Sequence, residues 1–202
     1  MCHSAIIFCK LKKITMKPND KNQQNLSKFL SLVLRHQPET IKIQLDSEGW
    51  TDVTTLLQQM NKHRKPLKLD ELINLVENND KKRFQLSEDH SKIRAVQGHS
   101  TQQVQREYTA IIPPDTLFHG TATRFSESIQ NQGLVAGDRH HVHLSADLIT
   151  ATKVGQRHGK VIIFKVDTQQ MHQDGFKFYQ AENGVWLTEH VPAQYLTVLE
   201  NP

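Results

Sequence analysis

Cysteine is nearly absent from this 202-residue chain; the two it has, Cys2 and Cys9, fall within the first ten positions. They can build neither a disulfide framework nor a four-cysteine zinc site. Aromatic residues amount to 6% of the chain, so its core must be chiefly aliphatic. Long apolar runs are also missing: stretches such as residues 161–164 fall far short of the ~18 residues that a membrane span needs. The short apolar segment at residues 5–9 has its lysines behind it instead of ahead of it, the reverse of a secretory signal. These absences lead us to expect a soluble, cytoplasmic protein, long enough for one large domain or two small ones.

Basic residues exceed acidic ones, 25 against 21, which suggests a polyanionic partner. The excess is uneven. Residues 1–20 hold four Lys and one Asp, residues 21–97 thirteen Lys/Arg and ten Asp/Glu, and residues 98–202 eight and ten. We read residues 1–22 as an unstructured tail, with Met16 as the expected start of the protein proper.

Beyond the tail the pattern becomes regular. Leu26, Phe29, Leu30, Val33 and Leu34 recur at helical spacing, and Pro38 stops that helix. Ile41, Ile43 and Leu45 alternate and predict a short strand. Thr51 and Asp52 cap a second helix with Val53, Leu56, Leu57 and Met60 inward, and a third carries Leu72, Ile73, Leu75 and Val76. Strands are expected at residues 83–86 and 93–96, joined by a turn at 87–91. Three helices followed by a two-stranded wing is the order of a winged-helix module, although a generic small α+β domain has the same pattern. Residues 98–115, Gln-rich and closed by Pro113-Pro114, form a linker. Residues 116–202 read as many strands (TLFHG, HVHLS, KVIIFKVD, FKFYQ, VWLT, YLTVL) with two short helices, near residues 126–131 and 147–155. The fold class is α+β, with one lobe over 23–97 and another over 116–202.

Several short stretches carry chemistry. Arg35 and His36 end the first helix, where a cation complements the helix dipole or, paired, grips a phosphate from two directions. Lys81, Lys82 and Arg83 lead into a strand; they are either a solvated edge or an anion contact, with Lys81 and Arg83 sharing one face. His119, Gly120 and Thr121 sit at a strand end, where glycine admits a flat ligand and the neighbours bond hydroxyls, or where they merely satisfy a turn. Arg139, His141, His143 and Ser145 share one strand face by period two. An x-His-x-His strand suits zinc, but no cysteine is near and Arg139 would repel a cation, so no metal is expected. Arg94, Lys81 and His99 stay open between nucleic-acid contact and packing of the wing.

Taken together, LSKFLSLVLRH, GWTDVTTLL, NDKKRF, IRAVQGHS, LFHGT, RHHVHLS and NGVWLT resemble, in this order and spacing, the RNA 2'-phosphotransferase family, over roughly residues 26–198. The resemblance implies a winged-helix RNA lobe, an ADP-ribosyltransferase-like lobe and an active site in the cleft between them. It maps the family's Arg-His-Arg-Arg tetrad onto Arg35, His36, Arg83 and Arg139, and its NAD-holding positions onto His119, Gly120, Thr121, His143 and Ser145. It further implies that NAD is consumed as co-substrate and that 2'-phosphorylated RNA is the substrate, in tRNA processing; a monomer is the default expectation. Where many ADP-ribosyltransferases place a glutamate in the closing motif, this chain has Val185, which suits a nucleophile that is already an anion. Two alternatives accompany this reading: an ADP-ribosyltransferase acting on other acceptors such as nucleic-acid ends, and a non-catalytic nucleic-acid binder.

Overall fold

A computed structural model of the chain describes residues 20–79 and 81–199. The first helix, α1 (Asp20–Val33), begins inside the stretch expected to be unstructured through residue 22; the rest of that tail, Met16 included, lies outside the described residues. The aliphatic face of α1 packs as its spacing demands, with Leu30, Val33 and Leu34 fully buried. Helices α2 (Val53–Lys62) and α3 (Leu69–Glu77) cover the same core. Asp52 starts α2 by accepting a hydrogen bond from the Thr55 N–H at 2.6 Å, one of the donors a helix start leaves unpaired.

Strands β1 (Thr51–Asp52), β2 (Phe84–Leu86) and β3 (Lys92–Ala95) form an antiparallel sheet in the order β1-β3-β2. The β2–β3 turn is closed by Asp89, which takes hydrogen bonds from the Ser87 and Ser91 hydroxyls at 2.6 and 2.8 Å. Those bonds hold its carboxyl down to about 2. Two expectations fail here. Ile41, Ile43 and Leu45 are buried alternately but form no strand: residues 38–41 are a 3-10 turn, Lys42 is left-handed, and no neighbouring strand pairs with them. Lys81, Lys82 and Arg83 precede β2 in a turn with Lys82 at φ 40°, so strand alternation does not apply to them.

Residues 98–115 contain no helix or strand, yet they are held at both sides. Val104 is fully buried in the first core, Ser100 N–H donates to the Arg35 carbonyl, and Ile111 N–H donates to Phe178. The remainder comprises β4 (Thr116–Ala122), α4 (Ser126–Gln132), β5 (Leu134–Val135), β6 (Val142–Leu144), α5 (Leu148–Gly155), β7 (Val161–Asp167), α6 (Thr168–Gln173), β8 (Tyr179–Gln180), β9 (Trp186–Thr188), β10 (His190–Val191) and β11 (Leu196–Leu199). The α6 helix was not expected; Asp167 caps it by accepting from Gln170 N–H at 3.0 Å. Of FKFYQ only the last two residues enter a strand. A mixed α+β fold results.

Two three-stranded antiparallel sheets, β11-β7-β4 and β6-β9-β8, meet through one bridge, Phe118 with Ser145, bonded in both directions at 2.9 and 2.8 Å. In that register the next rung would pair Gly120 with His143, and it is not made. The two strands part there.

Helix α5 lies directly on β4. A Cβ on Gly120 would stand 1.8 Å from the Ala151 carbonyl oxygen, so close packing of the two backbones requires glycine. Gly120→Ala is therefore expected to cost about 3 kcal/mol, lowering the melting temperature by about 6–12 °C. A melting curve unchanged from the parent would show that α5 can yield.

Candidate functional site

The residues singled out from the two ends of the chain converge. The carbonyl of Arg83 receives a hydrogen bond from Arg35 Nη2 at 3.4 Å, and Arg83 itself reaches Ser27 Oγ at 3.4 Å. Gly98, at φ +85°, separates Arg35 from His143: a Cβ placed there would lie 3.7 Å from Arg35 Nη1 and 3.5 Å from His143 Cε1. Arg139 Nη1 in turn lies 3.0 Å from His143 Nδ1. His36 is anchored on the same side through Nδ1 to Ser100 Oγ at 2.9 Å. Arg139 reaches His143 from a turn and not from the strand, so period-two spacing was the wrong reason for their proximity. His141 departs from the group and packs edge-on against Tyr108 and Tyr179. Ser145 contributes the main-chain bridge to Phe118.

Electrostatics mark what the cluster lacks. Arg35 is pushed down to about 10, by burial first and then by the charges of Arg83 and Arg139. Burial lowers Arg83, with Arg157 adding to it, and lowers Arg139 as well. Among the described residues no carboxylate forms an ion pair with these three guanidiniums; Glu48 and Glu182 are taken up by Arg94 and Arg106. Like charges gathered without a carboxylate are unfavourable unless an anion joins them. The Nε of Arg35 is buried with no partner, a further donor awaiting an acceptor.

The histidines are held neutral. Burial, then Arg139 and Arg35, take His143 down to about 3. A guanidinium can only donate, so His143 Nδ1 accepts and its proton sits on Nε2. His119 has the opposite tautomer. Its Nδ1 faces the His143 carbonyl at 3.1 Å and must donate, leaving Nε2 as an acceptor suited to a hydroxyl. Burial lowers His119 too, and burial with Arg35 lowers His36. Thr121 is buried beside Gly120 on β4.

Sequence reading missed Ser100 and Gly98, which set Arg35 and His36 in place, and Arg157, whose charge bears on Arg83. The GHS stretch that supplies the first two was visible, but its role was not. Of the residues left open, His99 is buried and Arg94 is taken up in ion pairs.

Arg35 and His36, with Arg83 beside them, are thus brought close to Arg139 and His143 from the other half of the chain. The chain matches the family model described as RNA 2'-phosphotransferase, Tpt1 / KptA family, over residues 21–190. It is similar to a probable RNA 2'-phosphotransferase of Pseudomonas fluorescens, 54% identical over 176 residues that cover 87% of this chain and 97% of that protein. Proteins with the same description in Burkholderia lata and Acaryochloris marina are 52% and 50% identical, covering 88% and 90% of this chain and 91% and 99% of their own lengths. The chain belongs to the RNA 2'-phosphotransferase family, a family of transferases. No helix among its described residues is long and apolar enough to cross a membrane.

Proposed function

We propose that this protein removes an internal 2'-phosphate from RNA, with NAD consumed as co-substrate. The observation that carries the reading is the group of Arg35, Arg83 and Arg139 with His36 beside them, none of the three guanidiniums being ion-paired to a carboxylate among the described residues. Residues 23–97 would serve as a winged-helix RNA lobe and residues 116–202 as an ADP-ribosyltransferase-like lobe, linked by 98–115. NAD would lie where β4 and β6 part: the unpaired main chain of Gly120 offers a donor and an acceptor to a carboxamide, and His119 Nε2 accepts from a ribose hydroxyl. Thr121, His143 and Ser145 flank the same gap.

In the first step a 2'-phosphate oxygen attacks C1'' of NAD as its bond to nicotinamide breaks. The nucleophile is already ionised and needs no base, in keeping with Val185 in the closing segment. In the second step O2'' attacks phosphorus and loses its proton, and O2' of the RNA leaves and gains one, giving ADP-ribose 1'',2''-cyclic phosphate. The arginines stabilise charge at the five-coordinate phosphorus. His36 contacts the phosphate and protonates the leaving oxygen; an arriving dianion opposes the lowering by Arg35 and Arg139 and prepares it for that role.

The test is a short RNA with a radiolabelled internal 2'-phosphate, incubated with and without NAD in the absence of metal. Label passing to ADP-ribose cyclic phosphate only with NAD is the expected result. Label retained on ADP-ribosylated RNA would indicate a transferase that stops after the first step, and no change with NAD would overturn the proposal.

A further inference from the structure

A carboxylate does stand in the closing segment, three residues before Val185, and it is fully engaged. Glu182 Oε1 lies 2.7 Å from Arg94 Nη2 and 2.5 Å from Arg106 Nη2, and its Oε2 lies 3.2 Å from Arg106 Nη1. Glu48 completes the knot, 3.4 Å from Arg94 Nη1 and 3.6 Å from Arg106 Nε. The two arginines are nearly enclosed, with side chains 11% and 6% exposed. Each lies over a ring, Arg94 over Trp50 at 4.4 Å and Arg106 over Tyr108 at 5.0 Å.

The position of the knot gives it meaning. Arg94 is fixed in β3, where Nε also donates to Gln85 of β2 at 3.0 Å, and β2 begins directly after Arg83. Glu182 lies in the turn between β8 and β9, closed by Ala181 N–H to Val185 and Gly184 N–H to Ala181. From there β9 runs to Leu187, the register partner of His143. Arg106 ties the connector to both, donating also to the Val96 carbonyl. One contact set therefore joins the strand pair that follows Arg83 to the sheet that carries His143. We infer that Glu182 is a positioning residue that fixes the spacing between Arg35 and Arg83 on one side and Arg139 and His143 on the other.

Geometry of that kind is costly to lose, since a displacement of about 1 Å at a reacting centre can cost about a hundredfold in rate. The inference rests on the proposed function for what the spacing serves. The NAD-holding residues all lie after residue 115, whereas the phosphate must be gripped from both halves. Loosening the joint should spare NAD and injure RNA.

The experiment compares the full chain with E182Q, E182D, R106Q and the E182Q/R106Q double variant. It measures melting with and without NAD, binding of a 2'-phosphorylated RNA by fluorescence anisotropy without NAD, and turnover of that RNA at saturating NAD. E182Q is expected to keep the stabilisation by NAD, to bind RNA about tenfold more weakly, and to lose about tenfold to a hundredfold in kcat/KM for RNA. E182D should recover part of the loss, and the E182Q/R106Q double variant should be no worse than the poorer single one. Unchanged RNA binding and turnover in E182Q would overturn the inference, as would equal loss of NAD stabilisation and RNA binding. A parent chain that binds RNA without turning it over defeats the proposed function instead; the binding measurement still judges Glu182.

Discussion

Replacing Arg83 by alanine is expected to slow the second chemical step by about one to two powers of ten and to let ADP-ribosylated RNA accumulate. A charge-assisted bond to phosphate contributes about 1.5–3 kcal/mol net, which sets that range. Arg83 suits the test because, among the described residues, its side chain makes one long hydrogen bond, to Ser27 Oγ at 3.4 Å, and no ion pair. Its removal should hardly disturb the fold, whereas Arg35 is more deeply enclosed and bonded to a carbonyl. Arg83→Lys keeps the charge and loses the planar fork, so an intermediate rate is expected. Single-turnover profiles on labelled RNA decide the matter; an Arg83→Ala profile equal to the parent's would remove this residue from phosphate stabilisation.

Mild acid should weaken the fold markedly. His99 and His143 are each held down to about 3 and His119 and His36 are lowered, burial being the first cause in every case. Such imidazoles are neutral in the folded chain and take up protons near pH 6.5 once unfolded. The unfolded state thus binds more protons between about pH 6.5 and pH 3. Stability is fully present above that window and is lost as pH falls through it. His99 bears heavily on the result, being 4% exposed, its Nε2 without a partner, with Arg35 and Arg106 opposing its charge. The loss should reach a few kcal/mol near pH 4, read as a falling melting temperature. His99→Leu should flatten the profile, and NMR titration of His99 in the parent gives an independent reading. A melting temperature constant from pH 7 to pH 4 would contradict the burial of these rings.

The helical faces were legible because packing and periodicity agree there. Leu30, Val33 and Leu34 recur at spacings of three and four and fill one core, and the cap at Asp52 was equally plain. Residues 41–45 misled because alternate burial is shared by strands and by irregular chain lying on a core; a strand also needs a partner, which one sequence does not display. The α6 helix escaped because only Met171 supplies an apolar anchor, the buried Thr168 looking like a surface residue. In the candidate site, residue types were readable and their distances were not. Glu182 meets Arg94 and Arg106 across 88 and 76 residues, a pairing that local pattern cannot reveal.

The parting of β4 and β6 after a single bridge has a mechanical side. Over that stretch the two sheets share no main-chain rung, and their edges are coupled by a histidine side chain and by whatever fills the gap. A bound nucleotide that bonds to the Gly120 main chain would take the place of the missing rung. Ligand occupancy and the stiffness of the joined sheets would then rise and fall together, and the empty protein would be the softer one along that seam.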